Sequence, residues 1–241
     1  MKTIFHNTLI AGLILLGSLN VYAQRPTTKN LAVYDNQILH FGFLLGLNSC
    51  DFVLKTDPDI LSLDTVLSVE TRAQSGFSLG IVSDLRMNSH WNLRFLPTLS
   101  FGERNIKYRI NFQTKNEIRE VKKKVESTFL MFPFNFKYRS ARVNNYRVYL
   151  VGGPNFAFDL ASQEDTDQLL KPDEALVKIR KADVMMEVGI GIDFYLEFFK
   201  FTPELKVGYG IPNLLVKDNE VYSQAISSLR SKIFMFTFYF E

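Results

Sequence analysis

A chain of 241 residues with 28 basic and 25 acidic side chains has a formal net charge of +3, too small a bias to suggest nucleic acid or another polyanion as partner. Cys50 is the only cysteine, which excludes an intrachain disulfide and a cysteine metal cluster. Hydrophobic residues make up 46% of the chain and 22 are phenylalanine. Past the first two dozen residues, however, no apolar run reaches the ~18 residues of a membrane helix, so the apolar surface belongs to a soluble core or to a lipid-facing barrel.

The chain begins with Lys2, an apolar run from Leu9 to Leu19, and Val21-Tyr22-Ala23, the pattern of a secretory signal peptide. Cleavage is expected after Ala23, with Lys2 lost and the charge reduced to +2. Residues 1–23 are thus read as signal peptide, 24–37 as a polar periplasmic lead and 38–241 as the folded domain. Cys50 lies too far from the cleavage site to be a lipid-attachment cysteine, and is expected to serve as a small apolar side chain.

Eight strands follow by period-two alternation. Phe41, Phe43, Leu45 and Leu47 alternate with Gly42, Leu44, Gly46 and Asn48; Phe77, Leu79 and Ile81 follow, then Trp91 to Phe101. Leu130, Phe132, Phe134, Phe136 and Tyr138 form the fourth face, Tyr146 to Phe156 the fifth, Met186 to Leu196 the sixth and Phe201 to Tyr209 the seventh. The last stretch, SKIFMFTFYFE, puts Phe234, Phe236, Phe238 and Phe240 on one side. An uncovered aromatic edge strand in water invites aggregation, and a bilayer is its natural cover. The links alternate long (49–74, 103–127, 159–183, 210–230) and short (84–90, 139–145, 197–200). The expected fold is all-β: an eight-stranded antiparallel up-and-down transmembrane β-barrel with long extracellular loops and short periplasmic turns. Phe132, Phe134, Phe136 and the four C-terminal phenylalanines would face lipid. A soluble lipocalin-like barrel gives the same alternation with the faces exchanged, and remains open at this point. Pro97, Pro133, Pro154 and Pro203 belong at bulges or rims, since proline cannot donate to a ladder.

If the aromatic faces meet lipid, Arg94, Lys137, Arg147 and Lys206 face inward with Glu187, Asp193 and Glu204. Such a mixed-sign set pairs across a narrow interior and plugs it, so no open pore is expected. An acid/base site there is the functional alternative. After the signal peptide only His40 and His90 remain, which argues against a Ser-His-Asp set and against zinc. Gly189-Ile190-Gly191 lacks the third glycine and the helix of a dinucleotide fingerprint, and its glycines are read as clearing the inner face. The acidic stretch from Asp159 to Asp173 lacks EF-hand spacing. No cofactor is expected.

Ile106 to Phe112 and Ile118 to Val125 read as a hairpin reaching beyond the bilayer, where Lys122, Lys123 and Lys124 meet lipopolysaccharide phosphates, a partner, or simply solvent. Tyr222, Ala225, Ile226 and Leu229 stand at helical spacing and predict a short helix over the rim.

Six phrases in series, LHFGFLLGLNSCDF (39–52), LRFLPTLSFGERNIKY (93–108), ESTFLMFPFNFKY (126–138), VGGPNFAFDLA (151–161), GIGIDFYLEFFKFTPELK (189–206) and NLLVKDNEVYSQAISSL (213–229), resemble the PorT/SprT family of outer-membrane β-barrels of the type IX secretion and gliding motility system. The resemblance implies a non-enzymatic component that supports export of proteins bearing a C-terminal secretion signal, with outer-membrane lipid and other type IX components as partners. It brings no catalytic residues. A free-standing adhesin or structural barrel, and an outer-membrane enzyme, are the alternatives.

Overall fold

The computed structural model describes residues 28–57, 66–112, 117–161, 178–216 and 224–241; the expected signal peptide, the acidic stretch beyond Ala161 and Tyr222 lie outside them. A 3-10 turn at Tyr34–Asn36 precedes nine strands: β1 (Leu39–Thr56), β2 (Val66–Arg86), β3 (Trp91–Phe95), β4 (Thr98–Phe112), β5 (Glu117–Arg139), β6 (Tyr146–Asp159), β7 (Ala182–Tyr195), β8 (Lys200–Gly210) and β9 (Ile226–Phe240). All pairings are antiparallel. They run β1-β9-β8-β7-β6-β5 and return through β3 and β4 to β2, which pairs with β1, so the sheet closes on itself. Closure removes the aromatic edge that β9 would otherwise present.

Among the described residues the strand count is nine, not the expected eight. β3 and β4 follow one another along a single place between β2 and β5, and the interruption falls at Leu96-Pro97. Proline supplies the cause: Pro97 has no amide to donate, and the facing stretch of β5 contains Pro133, itself without one. The gap is bridged by Leu96 N–H to the Pro133 carbonyl (3.2 Å) and Ile81 N–H to the Pro97 carbonyl (3.0 Å). The other two prolines follow the same rule. Pro154 lies opposite the break in the β5–β6 ladder, and Pro203 in the break of the β7–β8 ladder.

Two further expectations are corrected. Much of the anticipated long links is strand: β1 runs to Thr56, β2 starts at Val66, and β4 and β5 are joined across residues 113–116 alone. Of the expected helix over the rim, Gln224 is helical among the described residues, but Ile226 and Leu229 belong to the start of β9. Ile226 pairs with Thr56 and Ser228 with Lys55, so β9 places one extra residue at this step. A β-bulge resets the side-chain parity, and the resulting three-residue spacing of Ile226 and Leu229 imitates one helical turn.

Burial settles which face is which. Phe41 (65% exposed), Ile81 (63%) and Val188 (67%) point outward, whereas Arg94, Lys137, Asp193 and Glu204 are at most 1% exposed. A water-soluble barrel has the reverse arrangement. The outer aromatic side chains stack across neighbouring strands: Phe43 on Phe240 (4.9 Å between centroids), Phe77 on Phe101 (4.7 Å), Phe95 on Phe134 (4.6 Å) and Phe201 on Phe238 (5.8 Å). Toward the β1–β2 end the polarity inverts within the same strands. Phe52, Val69, Ile106, Tyr108 and Leu229 turn inward into an apolar cluster, while Glu70, Arg109, Lys122 and Arg230 turn outward. One closed sheet therefore has a section that is apolar outside and charged inside, and a section in which the two are exchanged.

Candidate functional site: the filled interior

Inward-facing residues are every second one, so each strand contributes to a stack of side-chain layers. Nearest the short-turn end, Lys137 Nζ lies 2.9 Å from Asp193 Oδ1 and 3.9 Å from Asp84 Oδ2. Thr202 Oγ1 donates to Asp193 (2.9 Å), and Asn92 Nδ2 donates to Asp84.

The next layer centres on Glu204. Arg94 Nη1 is 2.8 Å from its Oε2, the Tyr149 hydroxyl donates to the same oxygen (2.6 Å), the Tyr239 hydroxyl donates to Oε1 (2.6 Å), and Lys206 Nζ is 3.9 Å away. Lys206 pairs more closely with Glu187 (2.9 Å), which also accepts from Asn155 Nδ2 (2.6 Å) and Asn135 Nδ2 (3.3 Å). The Arg94 guanidinium lies over the Tyr239 ring at 4.2 Å. Buried charges are tolerated when each is paired and hydrogen-bonded, and here each carboxylate has at least two partners. Between Leu96, Pro133, Lys206 and Tyr239 only about 10 Å³ is left for water, roughly one molecule.

Gly191 belongs to this packing. A Cβ built there would lie 2.3 Å from the Tyr149 hydroxyl oxygen, so the glycine makes room for the ring that serves Glu204. Gly191→Ala is expected to cost about 1–3 kcal/mol as an overpacked core, read as a shift in the urea midpoint of the refolded protein. A midpoint within error of wild type would show that the ring is not held there.

Above the charged layers lie Asn48, Ser78 and Ser100, hydrogen-bonded to one another at 2.7–3.0 Å. Cys50, Phe129, Met131, Ala157, Met185, Ile233 and Met235 form an apolar layer beyond them, matching the expected apolar role of the cysteine. Arg104 then pairs with Asp159 (3.1 Å) between the rings of Phe52 (4.2 Å) and Phe129 (4.7 Å). The far mouth is closed by the apolar cluster, into which the connecting segments send Ile179, Leu214, Leu215 and Ala225. Backbone bonds fix that cover: Arg180 N–H to the Leu214 carbonyl (2.9 Å) and Leu214 N–H to the Leu229 carbonyl (2.8 Å).

The opposite end is closed by the segment before β1, which sequence reading treats as a lead. Asn30 N–H donates to Asn145 Oδ1 (3.0 Å), and the Tyr34 hydroxyl donates to Glu241 Oε2 (3.0 Å), which Lys200 Nζ also meets at 2.8 Å. Asp35 pairs with Arg142 (3.2 Å) and Arg147 (3.1 Å) and accepts from the Tyr195 hydroxyl (3.2 Å). Arg147 thus serves the closure, while Arg94, Lys137, Glu187, Asp193, Glu204 and Lys206 meet in the central layers.

Burial works against the charge of Asp35, but Arg147, Arg142 and the Tyr195 hydroxyl outweigh it and hold its pKa below the ordinary aspartate value. A lowered folded pKa gives stability that is present above the unfolded pKa and lost as pH falls through the folded one. A fluorophore on Lys29→Cys should therefore keep a constant mobility from neutral pH down to about 4 and loosen below that. The Asp35→Asn variant should be loose throughout; equal mobility of both at neutral pH would contradict the closure.

Asp84, Arg104, Asp35, Tyr149 and Tyr239 are among the members of this interior that the sequence does not single out, and Asp159 enters there only as the start of an acidic stretch. Parity could have found most of them: Asp84 is two residues past Val82 on the inward face, and Arg104 continues the inward face of Thr98 and Ser100 after the break. Phe132, Phe134, Phe136, Phe234, Phe236, Phe238 and Phe240 lie on the outer face, with Phe134, Phe136 and Phe234 more than one-third exposed. Lys122 is exposed on β5; Lys123 and Lys124 pair through their backbones with Ile106 and Asn105. His40 stacks on Tyr34 (3.9 Å) and His90 stands in an exposed turn beside Ser89 Oγ (2.8 Å). Among the described residues, no group of His, Cys, Asp and Glu is arranged to hold a metal ion.

Residues 22–216 match the family described as Outer membrane protein beta-barrel domain. No curated protein matches the chain. Solved structures with a related course include OprG from Pseudomonas aeruginosa (12% identity, TM-score 0.39, 84% of this chain and 91% of that one). Neisserial surface protein A is another (11%, 0.37, 84% and 98%), as is the N-terminal β-barrel domain of Pseudomonas aeruginosa OprF (14%, 0.31, 81% and 96%).

Proposed function

The chain belongs to the Outer membrane protein beta-barrel domain family, and from that membership we propose a transmembrane barrel, eight strand places around, that acts through its surfaces and not through a channel. In this reading it is a non-enzymatic component of the type IX secretion and gliding machinery, exported by its signal peptide. The short turns, the segment before β1 and Glu241 then face the periplasm, and the raised β4–β5 hairpin faces outward. The observation that carries the reading is the interior itself, filled by ion pairs in the middle and closed at both ends. A folded cargo has no route through it. The secretion role rests on the six serial phrases that resemble PorT/SprT proteins, and would be exercised through contacts with larger secretion components.

A free-standing adhesin or structural barrel is the second reading, favoured by the outward-turned charges of β4 and β5 around Arg109 and Lys122. Deletion of the gene separates the two. The secretion reading expects proteins with the C-terminal secretion signal to accumulate in the periplasm while other outer-membrane proteins stay at normal levels. Unchanged export with lost surface binding would leave the adhesin.

A further inference from the structure

The outer face of β9 changes character at one residue. Phe240, Phe238, Phe236 and Phe234 are followed, on the same side, by Lys232 and Arg230, both exposed. β1 makes the same change and reaches exposed Lys55, whose cross-strand partner is Ser228, so Lys55 is the diagonal neighbour of Arg230. Diagonal neighbours on one face lie roughly 7–8 Å apart. Asp51 stands opposite Lys232 in register; its Oδ1 accepts from the Phe52 N–H at 2.8 Å, and among the described residues it forms no ion pair with Lys232. Among the described residues, none of the three cations has an ion-pair partner. Tyr209, exposed and in register with Lys232, adds an aromatic side chain at the same level.

Resting on the membrane reading above, we propose that Lys55, Arg230 and Lys232 bind the phosphate of a lipid A headgroup in the outer leaflet, with its acyl chains lying along Phe234 and Phe236. The occupant follows from the juxtaposition. Three cations with no ion-pair partner among the described residues, directly above an aromatic lipid-facing strip, match an amphiphile that is anionic at its head and apolar below it. A free polyanion would gain nothing from the strip, and a neutral lipid nothing from the cations.

The test is native mass spectrometry of the full mature protein in detergent, with bis-phosphorylated lipid A as probe and its dephosphorylated form and inorganic phosphate as comparators. The expected result is a lipid A adduct on the wild type, reduced at least tenfold in the Arg230→Gln/Lys232→Gln double variant. Lys55→Gln alone should give a smaller loss, and Lys29→Gln, at the opposite end, none. Dephosphorylated lipid A and inorganic phosphate should each bind weakly. Equal binding by the double variant, or equal binding of the dephosphorylated form, would overturn the proposal. All the substituted side chains are exposed, and a compact unheated gel band confirms the fold of each variant. A wild type that fails to insert into vesicles would sink the membrane reading and this site with it. Insertion without preference for the phosphorylated probe would sink this site alone.

Discussion

Glu204→Ala is expected to destabilise the refolded protein by about 3–5 kcal/mol, the loss associated with leaving a buried charge without its partner. Glu204 is where the interior converges: it holds Arg94 at 2.8 Å and accepts from Tyr149 and Tyr239 at 2.6 Å. Removing the carboxylate strands a guanidinium that is fully buried and whose Nε and Nη2 already lack a hydrogen-bond partner. Lys206 cannot compensate, being itself a cation held by Glu187 at 2.9 Å. The double variant Arg94→Met/Glu204→Leu removes both charges at similar volume, and should recover most of the loss, because apolar replacements of buried ion pairs are often neutral or better. Urea titration in detergent, followed by the gel shift between folded and heated forms, reads both. A single variant within about 0.5 kcal/mol of wild type, the range of an ordinary surface change, would mean that the interior is hydrated enough to solvate Arg94.

Phe236→Arg should cost about 2–4 kcal/mol when the protein is folded in lipid vesicles, the scale for a cation at the midplane of a barrel's lipid face. Phe236 lies between Leu205 on β8 and Leu47 on β1, near the middle of the outward apolar strip. Trp91→Arg, at the strand end beside the short turn, should cost only about 0–1 kcal/mol, since the penalty falls toward the interface. That gradient with depth is what a bilayer imposes and water does not. Two equal, small costs would indicate that the outer face is not in lipid.

Much of this was legible in the sequence because a strand's alternation survives translation into structure almost unchanged. The outward phenylalanines and the inward charges both follow from parity. What parity alone could not fix was which face is inside, since a soluble barrel gives the same string; burial decided it. The departures have local causes. Pro97 interrupts a strand that the pattern runs through, and the bulge at Ile226 makes a strand look helical. The polarity inversion within β1, β2, β4 and β9 was hidden as well, because Phe52, Val69, Ile106 and Leu229 keep the alternation while exchanging the faces. The end closure was the least legible. Asp35 sits in a polar segment with no periodicity, and its importance comes from Arg142, Arg147 and Tyr195, more than a hundred residues away.

A sealed interior leaves function to the outer surfaces of the barrel. Conductance of the purified, vesicle-inserted protein across a planar bilayer tests it most directly. No steady current steps are expected for the wild type at neutral pH; stable, reproducible unit conductance from properly folded protein would mean that the interior is open.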